Sequence, residues 1–253
     1  MTTYFLAKYR HSPTLTGLEI ARRLGITVIT PGTMLRWVRP HDVVINWGRV
    51  VVLPPELAEE VVWRNKPEAI SVCGHKLRTL TRLQEAKVPT LEYTTDPAVA
   101  AGWGDRVYAR HLLRASSGRG VEVVEPGAPI PQAPLYTRAF DTREEYRVHV
   151  MYGSGAFFIQ KKMRMRKERR PAAFTPLVRS HGNGWVFAHK EVIPPMDVPH
   201  LATRAILACG LTFGAVDILC DGDRSVVCEV NSAPGIGGIT VDKYVDAFRI
   251  LGV

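Results

Sequence analysis

The sequence predicts an α/β protein with a short N-terminal Rossmann-like domain, a small central α+β lobe and a larger C-terminal lobe built on an antiparallel sheet. Three observations support this prediction. Buried-type strands alternate with helical segments over the first 72 residues, which is typical of a layered α/β domain. The stretch 126–134 has four prolines in nine residues and indicates a connector. Amphipathic strands joined by short turns follow it. We therefore expect three parts, with the bounds 1–72, 73–133 and 134–253.

The N-terminal part begins with a short apolar strand at 4–7. A helix over 17–24 follows and ends at Gly25, because glycine adopts the left-handed backbone of a helix end at little cost. The runs ITVIT (26–30) and DVVINWG (42–48) are rich in β-branched side chains and predict two buried strands. This strand–helix–strand order favours a small Rossmann-like layer.

Helical spacing returns at 75–86, where Leu77, Leu80 and Leu83 share one face. Beyond this helix the pattern becomes that of strands, with a flexible glycine-containing loop at 115–120. The predicted strands are 107–112, 121–125, 135–140, 145–153, 155–166, 213–220 and 225–231, and the predicted helices are 199–209 and 241–251.

The composition is that of an ordinary globular protein, with 46% hydrophobic and 23% charged residues. We find neither a long apolar run nor a signal peptide, so we expect a cytoplasmic protein without a membrane partner, and we leave an oligomer open. The four cysteines form no CxxC pair and lie in apolar runs, which predicts buried reduced thiols. Of the net charge of +9, the segment 161–170 supplies +6, so the excess belongs to one basic element.

The most informative residues lie in the predicted hairpin FGAVDILCDGDRSVVCEVN. Glu229 and Asn231 are two positions apart on a strand, so their side chains share one face. With Asp217 on the partner strand they would gather two carboxylates and an amide oxygen, the hard ligands that suit Mg²⁺. Carboxylates on strands this apolar are costly unless they are paired or bound to metal. The alternative is a carboxylate pair satisfied by backbone donors or arginine.

Asp217 joins this set in only one register of the hairpin. A two-residue turn at 222–223 would place it opposite Cys228 and turn its side chain to the wrong face. A three-residue loop at 222–224 would place it opposite Glu229, and we expect this loop.

The segment DIL…CEVNSAPGIGGI resembles the closing signature of the ATP-grasp ligases, particularly the branch that contains the ribosomal-protein glutamate ligases. The resemblance extends upstream over about residues 70–250. It implies an ATP-grasp fold and a carboxylate–amine ligase that uses ATP. It also implies that Asp217, Glu229 and Asn231 bind one or two Mg²⁺ ions, with Mn²⁺ as an alternative metal, at the nucleotide phosphates.

The same resemblance implies a set of nucleotide contacts. HKLRTLTRL resembles the segment whose lysine reaches the phosphates, and Arg110 stands where the family usually has a second lysine. The loop at 116–120 would cover the phosphates, the strand at 136–138 would bind adenine through its backbone, and Asp141 is a candidate for the ribose. The expected nucleotide-binding residues are Lys76, Arg110, Ser116, Ser117, Gly118, Gly120, Tyr136, Thr137, Arg138 and Asp141.

Three basic residues are candidates for the catalytic side. EYR at 145–147 resembles the acidic-x-Arg strand of the family, so we expect Arg147 to contact the transferring phosphoryl or acyl-phosphate oxygens. Lys162 lies on the basic face of the next strand, and Arg179 should return near it. The alternative is a solvated charge run.

The function that follows from the resemblance is amide or peptide bond formation through an acyl phosphate, with ATP, an unidentified carboxylate and an unidentified amine as substrates. The acceptor could be an anionic polymer or another macromolecule. One alternative is an ATP-grasp kinase that phosphorylates a small molecule or a macromolecule. Another is a nucleic-acid-binding protein that uses the basic strand 161–170.

Overall fold

The computed structural model describes residues 1–7, 16–115, 118–171 and 177–253, and three β-sheets follow one another along these segments. The first is a parallel sheet of four strands in the order β2-β1-β3-β4. The predicted Rossmann-like layer is therefore confirmed, with two short helices and one short strand that the sequence did not predict. Its elements are β1 (Thr3–Ala7), α1 (Thr16–Leu24), β2 (Thr27–Ile29), α2 (Pro31–Trp37), β3 (Val43–Trp47), α3 (Pro55–Glu60) and β4 (Val62–Arg64).

The second sheet is small and antiparallel, and two helices lead into it. Its strand order is β5-β8-β6-β7, so β8 lies between β5 and β6. β8 belongs to this central sheet although we expected residues from 134 onward in the C-terminal lobe. The bounds of the three parts stay a prediction. The elements are α4 (Pro67–Cys73), α5 (Lys76–Glu85), β5 (Tyr93–Thr94), α6 (Pro97–Gly102), β6 (Val107–Arg110), β7 (Val121–Val124) and β8 (Tyr136–Arg138).

The third sheet is antiparallel, has five strands in the order β11-β10-β9-β12-β13, and carries most of the candidate site. Short 3₁₀ helices at Lys167–Arg169 and His181–Asn183 lie between β10 and β11 in the sequence. The elements are β9 (Glu144–Met151), β10 (Gly155–Arg164), β11 (Trp185–Ala188), α7 (Asp197–Ala208), β12 (Phe213–Cys220), β13 (Ser225–Asn231) and α8 (Ile239–Ile250).

Helix α7 covers one face of this third sheet. Tyr146, Val148 and Val216 point from the strands into a buried cluster with Leu201 and Ala205 of the helix. Full burial of a side chain such as valine or leucine stabilises the folded protein by about 1.5–3 kcal/mol. Since successive strand residues point to opposite faces, the residues between these apolar positions are directed to the other, polar face.

A second cluster joins the N-terminal sheet to the C-terminal helix. Phe5 and Trp47 from the first sheet pack with Phe213, Tyr244 and Phe248. The first and third sheets therefore share a core.

The predicted register of the β12–β13 hairpin is correct at Asp217, but the predicted cause of that register is wrong. Asp217 lies opposite Glu229, as we expected. The predicted three-residue loop is wrong, because the Asp221 amide donates to the Arg224 carbonyl oxygen (3.2 Å) and only two residues remain between them. A β-bulge at Cys228 supplies the missing one-residue shift, since Asp217 pairs with residue 229 while the next residue pairs with 227.

In the part of the chain that the structure describes, no helix is long and apolar enough to cross a membrane. All four cysteines are free, as expected, but only Cys209 and Cys220 are buried, while Cys73 and Cys228 are half-buried.

Candidate functional site

The polar face of the third sheet gathers the candidate catalytic residues because of strand alternation. Glu145, Arg147 and His149 occupy every second position of β9 and point away from α7. On β12 the same face receives Asp217, and on β13 it receives Glu229. Three adjacent strands thus direct their charged side chains to one surface.

Arg147 and Asp217 form a bidentate ion pair across β9 and β12. The Arg147 Nε and Nη2 atoms each donate to one carboxylate oxygen at 2.7 Å, and the two side chains are 16% and 6% exposed. Burial acts to raise the pKa of Asp217, but the guanidinium outweighs it and the pKa lies below its ordinary value. Asp217 is therefore a carboxylate that is neutralised within the chain.

Glu229 is paired in the same way with a lysine from the central part. The Nζ atom of Lys76 donates to its Oε1 atom at 3.0 Å. Lys76 is the first residue of α5, where the exposed amides of a helix N-terminus favour an anion. Lys76, which we expected to bind phosphate, and Glu229, which we expected to bind metal, are thus in direct contact.

The third predicted metal ligand, Asn231, follows Glu229 on the same face. Its amide nitrogen is buried and has no hydrogen-bond partner among the described residues. The Oδ1 atom of this amide, and not the unsatisfied nitrogen, would be the metal ligand, and an amide oxygen beside two carboxylates suits Mg²⁺, which takes a few protein oxygens and completes its shell with water and phosphate. No group of three or more His, Cys, Asp or Glu side chains is gathered for a metal in the described segments, so a metal bound here would need the Asn231 oxygen as a third protein ligand.

The predicted catalytic cations come together around an acidic residue that we did not place in the site. Lys162 Nζ donates to Glu145 Oε1 at 2.6 Å, and Arg179 Nη1 lies 3.9 Å from Glu145 Oε2. Arg179 also donates to the Thr142 carbonyl oxygen at 2.7 Å. Burial raises the pKa of Glu145, and Lys162 opposes this shift. The alternative of a solvated charge run therefore does not hold for Lys162, which is 10% exposed.

Two aromatic side chains of β11 face these cations. The guanidinium of Arg147 lies 4.2 Å from the Phe187 ring centroid, and Lys162 Nζ lies 4.8 Å from the same centroid. Arg179 and Arg164 lie 4.9 and 5.5 Å from the ring of Trp185. Cation–π attraction of about 0.5–2 kcal/mol per contact holds the cations against this strand.

A cleft of about 110 Å³ lies between the central sheet and β13, the strand that carries Glu229. Lys76, Arg110, Gly118, Thr137 and Glu229 line it, so four of the predicted nucleotide-binding residues border a predicted metal ligand. Its remaining walls are mainly apolar, as expected where a flat base is bound.

Arg110 and Cys228 lie on opposite walls of this cleft, on β6 and β13. Arg110 Nε donates to the Thr137 hydroxyl at 3.2 Å, which directs the guanidinium along the cleft wall. Cys228, the bulged residue, also lines the cleft, and burial raises the pKa of its thiol to about 12. The predicted Ser116 and Ser117 lie outside the described residues.

Gly118 and Gly120 end the glycine-rich loop with left-handed backbones, at φ values of 75° and 67°. A Cβ atom on Gly118 would lie 2.5 Å from Val178 Cγ1, and one on Gly120 would lie 2.7 Å from Leu112 Cγ. Both positions therefore require glycine for conformation and for space.

The strand at 136–138, which we expected to bind adenine through its backbone, is β8, and two of its three residues do not line the cleft. Tyr136 is fully buried, and its hydroxyl donates to the Pro131 carbonyl oxygen. Arg138 forms surface ion pairs with Glu92 and Asp105. β8 is paired with β5 on one side and with β6 on the other, and its backbone contact with adenine stays a prediction. Only the Thr137 side chain borders the cleft.

Asp141 and most of the basic segment 161–170, apart from Lys162, lie outside the site. Asp141 is exposed, in the turn before β9. In the basic segment, Lys161 is ion-paired with Glu144 and Lys162 with Glu145, which leaves Arg164 and its C-terminal neighbours as the exposed part.

His149 is a structural residue. It is fully buried between Tyr244 and Gln160, whose oxygen atoms lie 3.1 and 3.0 Å from its ring nitrogens. Burial lowers its pKa to about 4, so the ring is neutral at physiological pH.

Sequence reasoning missed Glu145 and Phe187 as members of the site. Glu145 could have been found, since it is two positions before Arg147 and strand alternation places both on one face. Phe187 lies in a four-residue strand that is too short for its alternation to be recognised.

No protein-family profile and no curated protein matches the sequence. Solved structures do. A D-alanine–D-alanine ligase from Bacillus anthracis is 12% identical with a TM-score of 0.69, and the match covers 99% of this chain and 98% of that one. The ATP-grasp ligase PsnB, complexed with a minimal precursor, is 13% identical with a TM-score of 0.68 and coverages of 100% and 99%. A RimK domain ATP-grasp protein from Sphaerobacter thermophilus is 15% identical with a TM-score of 0.63 and coverages of 98% and 96%.

Proposed function

We propose that this chain, which has the ATP-grasp fold, is an ATP- and Mg²⁺-dependent carboxylate–amine ligase that releases ADP. One observation carries the proposal. The carboxylates of Asp217 and Glu229 face the same surface, Glu229 lines the cleft, and each carboxylate is neutralised by a cation, Arg147 and Lys76, that a polyphosphate could also bind. Solved ATP-grasp structures with ATP or with Mg and ADP support the assignment of the nucleotide and the metal.

The reaction has two steps. A carboxylate oxygen of the first substrate attacks the γ-phosphorus of ATP, the bond from that phosphorus to the bridging oxygen breaks, and ADP leaves. The nitrogen of an amine then attacks the carbonyl carbon of the acyl phosphate. The bond from carbon to the phosphate oxygen breaks, phosphate leaves, and the amine gives up a proton to solvent as the amide forms.

The residues of the chain contribute position and charge rather than a nucleophile. Lys76 and Arg110 would hold phosphate oxygens from the two walls of the cleft. Arg147, Lys162 and Arg179 would neutralise the negative charge that develops on the transferring group.

Mg²⁺ would be held by Asp217, Glu229 and Asn231 and would supply further positive charge to the phosphates. In the ligand-free chain the two carboxylates are already paired with Arg147 and Lys76. Nucleotide phosphates compete for both cations, so metal and nucleotide should bind together rather than separately.

The carboxylate and the amine are not identified, and amino acids, peptides and modified macromolecules are all candidates. The cytoplasmic location and the absence of a membrane partner, which the sequence predicts, belong to the same proposal.

The proposal is tested by a screen of carboxylate and amine pairs for ADP release, with mass spectrometry of the products. We expect ADP, phosphate and an amide only when both substrates are present, and loss of turnover in Asp217→Asn and Glu229→Gln. A stable phosphorylated acceptor without an amide would identify a kinase instead. Turnover that survives both substitutions would overturn the assigned metal site.

A further inference from the structure

One aromatic ring contacts the cations of two ion pairs on the polar face of the third sheet, Arg147–Asp217 and Lys162–Glu145. Phe187, on the edge strand β11, has Arg147 at 4.2 Å and Lys162 at 4.8 Å from its ring centroid. Arg147 is the partner of Asp217, and Lys162 is the partner of Glu145. No other described aromatic ring on this face contacts both pairs.

The position of these two cations needs an explanation because their charges repel. Each carboxylate attracts both cations but is hydrogen-bonded to only one of them, and neither hydrogen bond sets the distance between the cations. A flexible lysine on its stem has many rotamers unless a surface limits them. The partly buried ring of Phe187 provides such a surface, since its face attracts both cations and excludes water from one side of each.

We propose that Phe187 is a positioning residue for the ligase reaction, holding Arg147 and Lys162 side by side toward the transferring group. This inference rests on the proposed function. Phe187 acts through the two cations and contributes no group of its own to the chemistry. Lys76 and Arg110, which line the cleft from other elements, do not depend on it.

The kinetic test compares Phe187→Leu, which keeps apolar bulk but removes the ring face, with Phe187→Tyr, which keeps the face. We expect Phe187→Leu to lower kcat about tenfold, a factor that corresponds to about 1.4 kcal/mol, with little change in the KM for ATP. Phe187→Tyr should restore most of kcat. The matched control is Phe158→Leu on the neighbouring strand β10, since among the described residues no arginine or lysine lies over that ring.

A second readout does not require turnover. The Nε–H group of Arg147 donates to a buried carboxylate, so its ¹⁵N–¹H signal should be protected and shifted by the ring current of Phe187. Phe187→Leu should move and broaden this signal, while Phe158→Leu should leave it in place.

An unchanged Arg147 signal in Phe187→Leu would overturn the inference whatever the activity. So would equal losses of kcat in Phe187→Leu and Phe158→Leu, or a kcat in Phe187→Leu equal to that of wild type. If the wild-type protein releases no ADP with any substrate pair, the proposed function fails, and the Arg147 signal still decides whether the ring holds the cations.

Discussion

Replacing Asp217 by asparagine should strongly destabilise the ligand-free protein, because it leaves a buried guanidinium without a counter-charge. The Arg147 side chain is 16% exposed and makes two 2.7 Å contacts with a carboxylate that is 6% exposed. Removing one partner of a buried pair costs about 3–5 kcal/mol. For a chain of this size about 2–4 °C is lost per kcal/mol, so the unfolding midpoint should fall by roughly 6–20 °C.

The assay is urea and thermal unfolding without nucleotide or metal, so that catalytic and structural effects remain separate. A matched control is Glu85→Gln, which breaks an exposed pair with Arg82 in which both side chains are 59% exposed. That substitution should cost less than about 0.5 kcal/mol. An Asp217→Asn cost as small as the control would refute the reasoning.

A double-mutant cycle sharpens this prediction. Arg147→Met combined with Asp217→Asn removes both charges, so the double variant should be more stable than the sum of the single effects by about 2 kcal/mol. Additive effects would mean that the two side chains do not interact in solution.

The Arg147–Asp217 ion pair also predicts how the stability of the folded protein changes with pH. Since the pKa of Asp217 in the folded protein lies below its ordinary value, the contribution of the pair is fully present above about pH 4. It is lost as the pH falls through the folded-state pKa, and Asp217→Asn should remove this part of the acid dependence.

Three further predictions concern the cleft and the core. Lys76→Met should raise the KM for ATP about tenfold or more, as a lost charge-assisted contact does, while Lys190→Met at the exposed surface should leave it unchanged in steady-state assays. Gly118→Ala should weaken ATP binding in calorimetry more than Gly104→Ala, because both glycines have similar positive φ values but only the first would meet a valine side chain at 2.5 Å. The folded-state pKa of His149 is lowered to about 4, so protonation of the ring favours unfolding. About 3 kcal/mol of stability should therefore be lost as the pH falls from 6.5 to 4. In urea titrations, His149→Gln should reduce this dependence of stability on pH.

The elements that the sequence predicts well are those with long periodic patterns. The strands β9, β10, β12 and β13 and the helix α7 each extend over seven residues or more and match the predicted ranges closely. The elements that were not predicted, such as α3, β4 and β11, have three to six residues. Over so few positions a helical period and a strand alternation do not differ enough to be recognised.

In the β12–β13 hairpin, the sequence does not show where the extra residue lies. The side to which Asp217 points depends on the turn and on any bulge together, because each changes the register by one residue. The sequence contains the correct total shift but does not show where the extra residue lies. We placed it in the turn, and the structure places it at Cys228.

The sequence by itself determined the ATP-grasp resemblance, most of the strands and the shared face of Glu229 and Asn231. These follow from residue types at short spacing along individual strands. Only the tertiary structure decided which cation neutralises each carboxylate, that Glu145 joins the site, and that β8 is paired on both sides. Such contacts join residues that are far apart in the chain, and local periodicity carries no information about which strands become neighbours.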